Sequence, residues 1–180
     1  MTEEQAMQDN SKLKLILGGS IASVLAAGVI GFLVYSSICP CDRTPGGFLF
    51  GDDSDGQVND WSFANDVELC QLQIYDGIRP HSINLNCMAT PEGEMYLSCS
   101  VCDTKYWAAR VGENERGVMR LDGVVYPVYL NRITDSATMD RAWQARVTKL
   151  QIHGGPGNPA PPTNAPRADR WWTFQVTSRG

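Results

Sequence analysis

After a short polar tail, the chain has one long apolar stretch, and it continues with short segments in which apolar and polar residues alternate. From Leu15 to Ile38, 24 consecutive residues include no charged side chain. About 20 such residues suffice for a helix to cross the hydrocarbon core of a bilayer. We therefore predict a tail over residues 1–14, a transmembrane helix over 15–38, a linker over 39–56 and one domain over 57–180.

The residues that flank the apolar stretch predict how it lies in the membrane. Lys12 and Lys14 precede it, whereas the far side carries one Arg and several Asp residues. Since basic residues concentrate on the cytoplasmic side, we expect a cytoplasmic N-terminus in the inner (plasma) membrane and a periplasmic or extracellular domain. A cleaved signal peptide is the alternative, but its apolar region is typically about 7–15 residues long.

Small side chains recur along one side of the predicted membrane helix. They stand four residues apart, at Gly19, Ser23, Ala27 and Gly31. Stripes of this kind let two helix backbones approach closely and favour association within lipid. We expect this stripe to pack against integral membrane subunits of a larger complex.

Beyond the linker, the alternating segments predict strands. They cover residues 68–75, 81–88, 94–100, 117–121, 124–133 and 170–179. Short helices are expected over 58–68 and 103–114, and an amphipathic helix is expected to begin at Asp135 or Ser136. Six antiparallel strands joined by short connections tend to curl and close. The expected fold class is mainly β with flanking helices (α+β), built on a six-stranded antiparallel barrel.

The first two predicted strands form a hairpin with a specific register. Placing the turn at "DGIRPH" sets Ile74 opposite Ile83, Leu72 opposite Leu85 and Cys70 opposite Cys87. A slip of one residue would set Leu and Ile against Gln and Asn, which disfavours that alternative. Directly opposed residues come close to disulfide distance. The pattern thus predicts directly opposed cysteines on one face, and it leaves open whether they form a disulfide or stay two buried thiols.

All six cysteines follow the predicted membrane helix, at Cys39, Cys41, Cys70, Cys87, Cys99 and Cys102. An even number of cysteines outside the cytoplasm favours disulfides. Three other interpretations stay open, namely a redox pair, a metal site and free thiols. The spacing in "CSVC" also occurs in redox motifs, and a zinc site would need four ligands, for which the spacing in "CPC" is poor.

Charge and composition exclude several classes of function. The chain has 15 basic and 20 acidic residues, a net charge of −5. It has no basic cluster of the kind that binds nucleic acid. The only histidines are His81 and His153, and no Ser-His-acid set is evident. The sequence predicts neither a catalytic residue nor a metal site.

A set of short motifs resembles a known superfamily. They are Asp76-Gly77, Arg79-Pro80-His81-Ser82, Gly93 with Tyr96, Lys105, and Asp122-Gly123 with Tyr126. Over about Trp61–Thr134 and the last strand, this order resembles the flavin-reductase-like split β-barrel superfamily of pyridoxamine-phosphate-oxidase-like and deazaflavin-binding proteins. The resemblance implies FMN or a deazaflavin at the interface of a barrel dimer. The residues it implies for the phosphate are Arg79, His81, Ser82, Ser98, Ser100, Thr104 and Lys105.

Two functions follow from these features. The first is an accessory or structural subunit of a larger membrane complex, for example one that transfers electrons. It is supported by the small-residue stripe and by Trp61, Trp107 and Trp171, which have no evident core role in the sequence pattern and would suit an interface. The second is a membrane-anchored oxidoreductase that uses a flavin or deazaflavin, and it rests on the resemblance alone.

Overall fold

The computed structural model describes residues 3–41 and 43–180, in two compact units, one ending at Ile38 and the other spanning Cys39–Gly180. The first unit is the helix α1, Glu3–Ser37. Its segment Ile16–Ser37 has 22 residues and a mean hydropathy of 2.1. It is long and apolar enough to cross a membrane, a property that N-terminal signal sequences share. A side chain added at Gly19 or Gly31 would meet nothing within 4 Å.

The second unit contains eight strands and one α-helix in the part of the chain that is described. The strands are β1 Asp52–Asp53, β2 Cys70–Asp76, β3 Arg79–Leu85, β4 Cys87–Ala89, β5 Met95–Cys99, β6 Glu115–Leu121, β7 Val124–Ile133 and β8 Trp172–Ser178, and the helix is α2 Ser136–His153. The strands form one sheet in the order β3-β2-β6-β7-β8-β5-β4, in which all neighbours are antiparallel.

The two ends of this sheet are consecutive in the chain. Only Asn86 separates β3 from β4, yet β3 pairs with β2 and β4 pairs with β5. The sheet must therefore curl until its ends meet, and none of the described strands pairs with the second side of β3. This arrangement confirms the predicted antiparallel α+β split barrel, with the second predicted strand divided in two.

Strand alternation places the core inside the curled sheet. Leu72, Leu97, Met119 and Leu130 are fully buried there, together with Phe174 of β8. Two tryptophans also belong to this core, since Trp61 is 3% and Trp107 is 5% exposed. The expectation that they are surface anchors was wrong. Each stands in an irregular segment that folds over an open part of the barrel, so no period in the sequence marked it as inward-facing.

The helix α2 covers the outer face of β4 and β5. Its Ala142 and Ala145 pack on Met88 and Tyr96 in a second, smaller core. The side chain of Asp135 accepts a hydrogen bond from the backbone N–H of Thr138 at 3.1 Å and caps the helix. The predicted amphipathic helix and its first residue are confirmed.

The register of the β2–β3 hairpin differs from the prediction by two residues. Cys70 pairs with Leu85, and Asp76 pairs with Arg79 across a two-residue turn. That turn begins at Gly77, whose φ of 60° suits the first central position of a type II′ turn. The predicted turn was longer, because Asp76 and Arg79 looked like loop residues. A shift of two keeps every side chain on its face.

The same shift changes how the cysteines meet. Cys87 lies two residues beyond the partner of Cys70, so the two are diagonal neighbours on the inner face, with Cα atoms 6.0 Å apart and their sulfur atoms bonded. Cys99 is bonded to Cys102 within the next segment, with Cα atoms 5.6 Å apart. Cys39 and Cys41 are free thiols.

The two short helices expected over 58–68 and 103–114 are not α-helices. The first region contains one 3₁₀ turn, Ser62–Asn65, and the second contains two, Cys102–Thr104 and Ala108–Arg110. In the first, the carboxylate of Asp60 accepts hydrogen bonds from the N–H and hydroxyl of Ser62. Such local bonds compete with a helix, and burial of Trp61 and Trp107 determines the path of both segments.

The segment predicted as a linker packs against the barrel. Gly46 exchanges two backbone hydrogen bonds with Ser82 of β3, and the N–H of Leu49 donates to the side chain of the buried Gln73 at 2.7 Å. Further along, β1 runs parallel to β7. The Gly, Asp and Pro content of the segment indicated irregular backbone correctly, but it gave no sign of these contacts.

Candidate functional site

The structure contains a groove where the barrel is split. One wall is β3, another is the segment around Thr104–Trp107, and a third is the loop after α2, Gly155–Asn158. The groove has a volume of about 760 Å³, within the range of small-molecule sites. Its second wall follows β5, where the chain leaves the sheet and enters 3₁₀ turns.

His81 is the most distinctive residue of the groove. His81 belongs to β3 and pairs with Ile74 of β2, so its side chain points towards the inner face of the sheet. The residue is only 6% exposed. Its Nδ1 atom has no hydrogen-bond partner in the structure. Burial, and secondarily the positive charges of Arg79 and Arg110, lower the pKa of this imidazole. Because its pKa is lowered, the imidazole of His81 lines the groove mainly in its neutral form at pH 7.

Tyr106 anchors the second wall to the tip of the β2–β3 hairpin. Its ring lies 4.5 Å from that of His81, between ring centroids, and the guanidinium of Arg110 lies 3.4 Å from the ring centroid. The Asp76 carboxylate accepts hydrogen bonds from the Tyr106 hydroxyl and from Arg110. The bond from Tyr106, followed by that from Arg110, lowers the pKa of Asp76. These contacts hold one wall of the groove in place.

The charged residues around the groove favour an anion. Arg43 and Lys105 are exposed cations that line it, and Glu68 is the acidic residue that lines it. Asn84, Asn86 and Asn158 add amide donors. Among the described residues, no three His, Cys, Asp or Glu side chains are placed to hold a metal ion.

The seven residues implied for a flavin phosphate do not converge on one site. His81, Thr104 and Lys105 line the groove. Ser82 and Ser98 lie on the outer faces of their strands, because the preceding residues, His81 and Leu97, face inward. Their hydroxyl groups are buried and have no hydrogen-bond partner. Arg79 is at the exposed hairpin tip, and Ser100 lies beyond the end of β5. These residues do not form a single phosphate cradle in the chain as it stands.

Three polar residues on the inner side of α2 have a structural role that the sequence did not predict. Lys149 donates to the backbone oxygens of Ala64 at 2.8 Å and of Cys87 at 2.6 Å. Arg146 donates to Asn158 at 2.9 Å, and His153 bonds the backbone oxygen of Asn65 at 3.0 Å. Their spacing is that of the apolar face of the helix, a signal that could have identified them.

These polar residues connect α2 to the groove and to the point where β3 ends and β4 begins. Arg146 holds Asn158, whose own amide donates to Asn86 at 2.9 Å. Asn86 is the residue between β3 and β4. Burial lowers the pKa of Arg146 to about 10. The third wall of the groove is thus fixed to the point at which the strand divides.

Lys149 gives the protein a specific dependence of stability on pH. Burial lowers its pKa to about 8 from 10.5. Between these two values the unfolded chain keeps the proton that the folded protein has lost, so the free energy of unfolding rises with pH in that window. The neutral amine can still donate to both carbonyl oxygens. We expect urea denaturation to show this rise between pH 8 and pH 10. In that range the free energy of unfolding of the protein should increase relative to that of its Lys149→Met variant.

The matched control for this measurement is Lys105→Met, which removes an exposed lysine. Comparing each variant with the unsubstituted protein at the same pH cancels the titration of the tyrosines. If the stability difference due to Lys149→Met stayed constant from pH 7 to pH 10, the ammonium group would not be losing its proton in that window.

The comparisons with known proteins yield likenesses of structure only. No family model and no curated protein matches the chain. A candidate pyridoxamine 5′-phosphate oxidase from Listeria innocua has 10% identity and a TM-score of 0.44, over 66% of this chain and 89% of that one. A NimC/NimA family protein from Clostridium acetobutylicum has 13% identity and a TM-score of 0.43, over 65% and 78%. These likenesses concern the fold alone.

Proposed function

We propose that this chain is a membrane-anchored binding module whose barrel, outside the cytoplasm, takes a small organic anion in the groove. The observation that carries the proposal is a groove of about 760 Å³ that is lined by two exposed cations, Arg43 and Lys105, and by one carboxylate, Glu68. An excess of positive charge around a cavity of this size favours a small anionic ligand. His81 and the neighbouring asparagines add polar groups to its walls.

The location rests on two features. The apolar segment Ile16–Ser37 is long enough for a bilayer, and the four bonded cysteines suit a compartment in which disulfides persist. Carbonate extraction of intact membranes tests the anchor. A chain released by carbonate would show that α1 does not span the bilayer.

Loss of a groove cation is expected to weaken binding. FMN is a suitable probe because it is fluorescent and carries a phosphate, and riboflavin is its matched analogue without one. We expect full-length protein in detergent to bind FMN more tightly than riboflavin. Lys105→Gln should weaken FMN binding about tenfold, as the loss of one charge-assisted hydrogen bond does. Fluorescence anisotropy of the probe measures both effects.

Arg116→Gln is the matched control, since Arg116 is an exposed cation of β6 that does not line the groove. It should leave the affinity unchanged. Equal losses for both variants would show that binding reflects net charge and not the groove. Failure of FMN, riboflavin and inorganic phosphate to bind at millimolar concentration would overturn the proposal.

The second candidate function, a flavin-dependent oxidoreductase, has weaker support. The residues that the resemblance implies for a flavin phosphate are divided between two strand faces. The visible absorption spectrum of the purified protein tests this second candidate function. Flavin absorption that appears with the native protein and is released on denaturation would favour the enzyme.

The role of an accessory subunit also stays a proposal, and one observation supports it. Phe48, Phe50 and Tyr75 form an exposed aromatic cluster, in which the Phe48 ring lies 6.3 Å from Phe50 and 6.4 Å from Tyr75. Phe50 is 59% and Tyr75 is 42% exposed. Aromatic side chains of this kind are typical of protein interfaces. Stoichiometric copurification with larger membrane subunits in mild detergent would favour this role.

A further inference from the structure

Cys39 and Cys41 are a pair of thiols that the proposed function leaves unused. The other four cysteines are bonded in pairs, and each of those sulfurs belongs to a residue that is at most 9% exposed. Cys41 is exposed and Cys39 is half-buried. Thiol–disulfide exchange requires that the attacking sulfur be reached. Of the described sulfur pairs, "CPC" alone meets that condition.

The backbone around this pair is held in a defined shape. Pro40 lies buried between the two cysteines, and its carbonyl oxygen accepts hydrogen bonds from the side chains of Gln71 and Asn84, each at 3.4 Å. Cys41 and Thr44 exchange two backbone hydrogen bonds, at 2.8 and 3.2 Å. The exposed thiol is thus presented on a tight turn that is attached to β2 and β3, and it does not sit on a free linker.

A positive charge stands beside the inner thiol. The Nη1 atom of Arg120 donates to the sulfur of Cys39 at 3.8 Å. The same guanidinium is fixed by the backbone oxygen of Phe50 at 2.8 Å and by the side chain of Gln71. During exchange, negative charge develops on each sulfur in turn, and a fixed guanidinium stabilises that charge.

We propose that Cys39 and Cys41 form a dithiol site that reduces an external disulfide, of a protein or a small thiol compound, and becomes a disulfide itself. The exposed thiolate of Cys41 attacks one sulfur of the external disulfide. That bond breaks, a mixed disulfide forms on Cys41, and the first external thiolate leaves. The thiolate of Cys39 then attacks the sulfur of Cys41 and releases the second thiolate. The pair loses two electrons and two protons, and the external disulfide gains them.

The test uses oxidised glutathione as the probe and the full-length protein in detergent. Intact mass spectrometry is expected to show that the protein loses two hydrogen atoms and keeps no glutathione. In the Cys39→Ser variant no second thiol can attack the mixed disulfide on Cys41, so one glutathione stays attached. The attached form should be at least about tenfold more abundant than in the unsubstituted protein, because the second attack is intramolecular. Peptide mapping then places the new disulfide between residues 39 and 41.

A lone exposed thiol provides the control. Cys39→Ser/Cys41→Ser/Ser136→Cys carries one at the exposed start of α2, and it should hold glutathione as stably as Cys39→Ser does. The proposal is overturned if the unsubstituted protein accumulates a stable glutathione adduct at Cys41. It is equally overturned if neither thiol reacts while the Ser136→Cys thiol does. FMN binding by the groove is measured separately, so failure here leaves the proposed function intact.

Discussion

Replacing Phe174 with Ala is expected to lower the free energy of unfolding by about 3–5 kcal/mol, the usual range for a buried phenylalanine. Phe174 is fully buried in β8, and its ring centroid lies 4.9 Å from that of Trp107. The surrounding strands are hydrogen-bonded on both sides of β8, so the barrel can collapse only partly around the missing ring. Urea denaturation followed by tryptophan fluorescence measures the change.

The same substitution should also weaken ligand binding, because Trp107 lines the groove and rests on Phe174. The control is Phe50→Ala, which removes a phenylalanine that is 59% exposed. We expect that change to stay within about 0.5 kcal/mol, as surface substitutions usually do. A loss below about 1 kcal/mol for Phe174→Ala would mean that the interior of the barrel is loosely packed.

The disulfide between Cys70 and Cys87 is expected to contribute about 3 kcal/mol. The two cysteines are 17 residues apart in the chain, and closing a loop of about that length removes this much conformational freedom from the unfolded chain. The double variant Cys70→Ala/Cys87→Ala avoids leaving a single reactive thiol. Denaturation midpoints of this variant and of the oxidised protein measure the difference.

Cys99→Ala/Cys102→Ala is the matched control for that measurement. Its cysteines are only three residues apart, so the same reasoning gives a smaller effect, of about 2 kcal/mol. Equal stability of the Cys70→Ala/Cys87→Ala variant and the oxidised protein would show that the bridge does not restrict the unfolded chain.

The regular elements were predictable because each follows a simple period. The strand β7 covers the predicted residues 124–133, and α2 begins at Ser136 after its capping aspartate. The turn at Asp122-Gly123 was identified too, and both residues have positive φ, 46° and 85°. In such segments local preference and burial agree, so the sequence alone is sufficient.

The candidate site was less predictable because it lies where periodic structure stops. His81 was singled out, but through a phosphate motif and not through its unpartnered Nδ1 atom. The groove depends on Arg43 and on the loop Gly155–Asn158, which are far apart in the chain and meet only when the barrel curls. Trp107 was placed at the surface for the same reason. No local pattern encodes which irregular segment will cover which opening.

The position of β8 in the sheet also constrains when the domain can fold during synthesis. β8 lies between β7 and β5, although every other described strand precedes it in the chain. A nascent chain that has emerged only as far as α2 therefore presents two unpaired strand edges, which are prone to associate with other chains. Closure of the barrel therefore has to wait until β8 has emerged, and until then both edges stay open to such association.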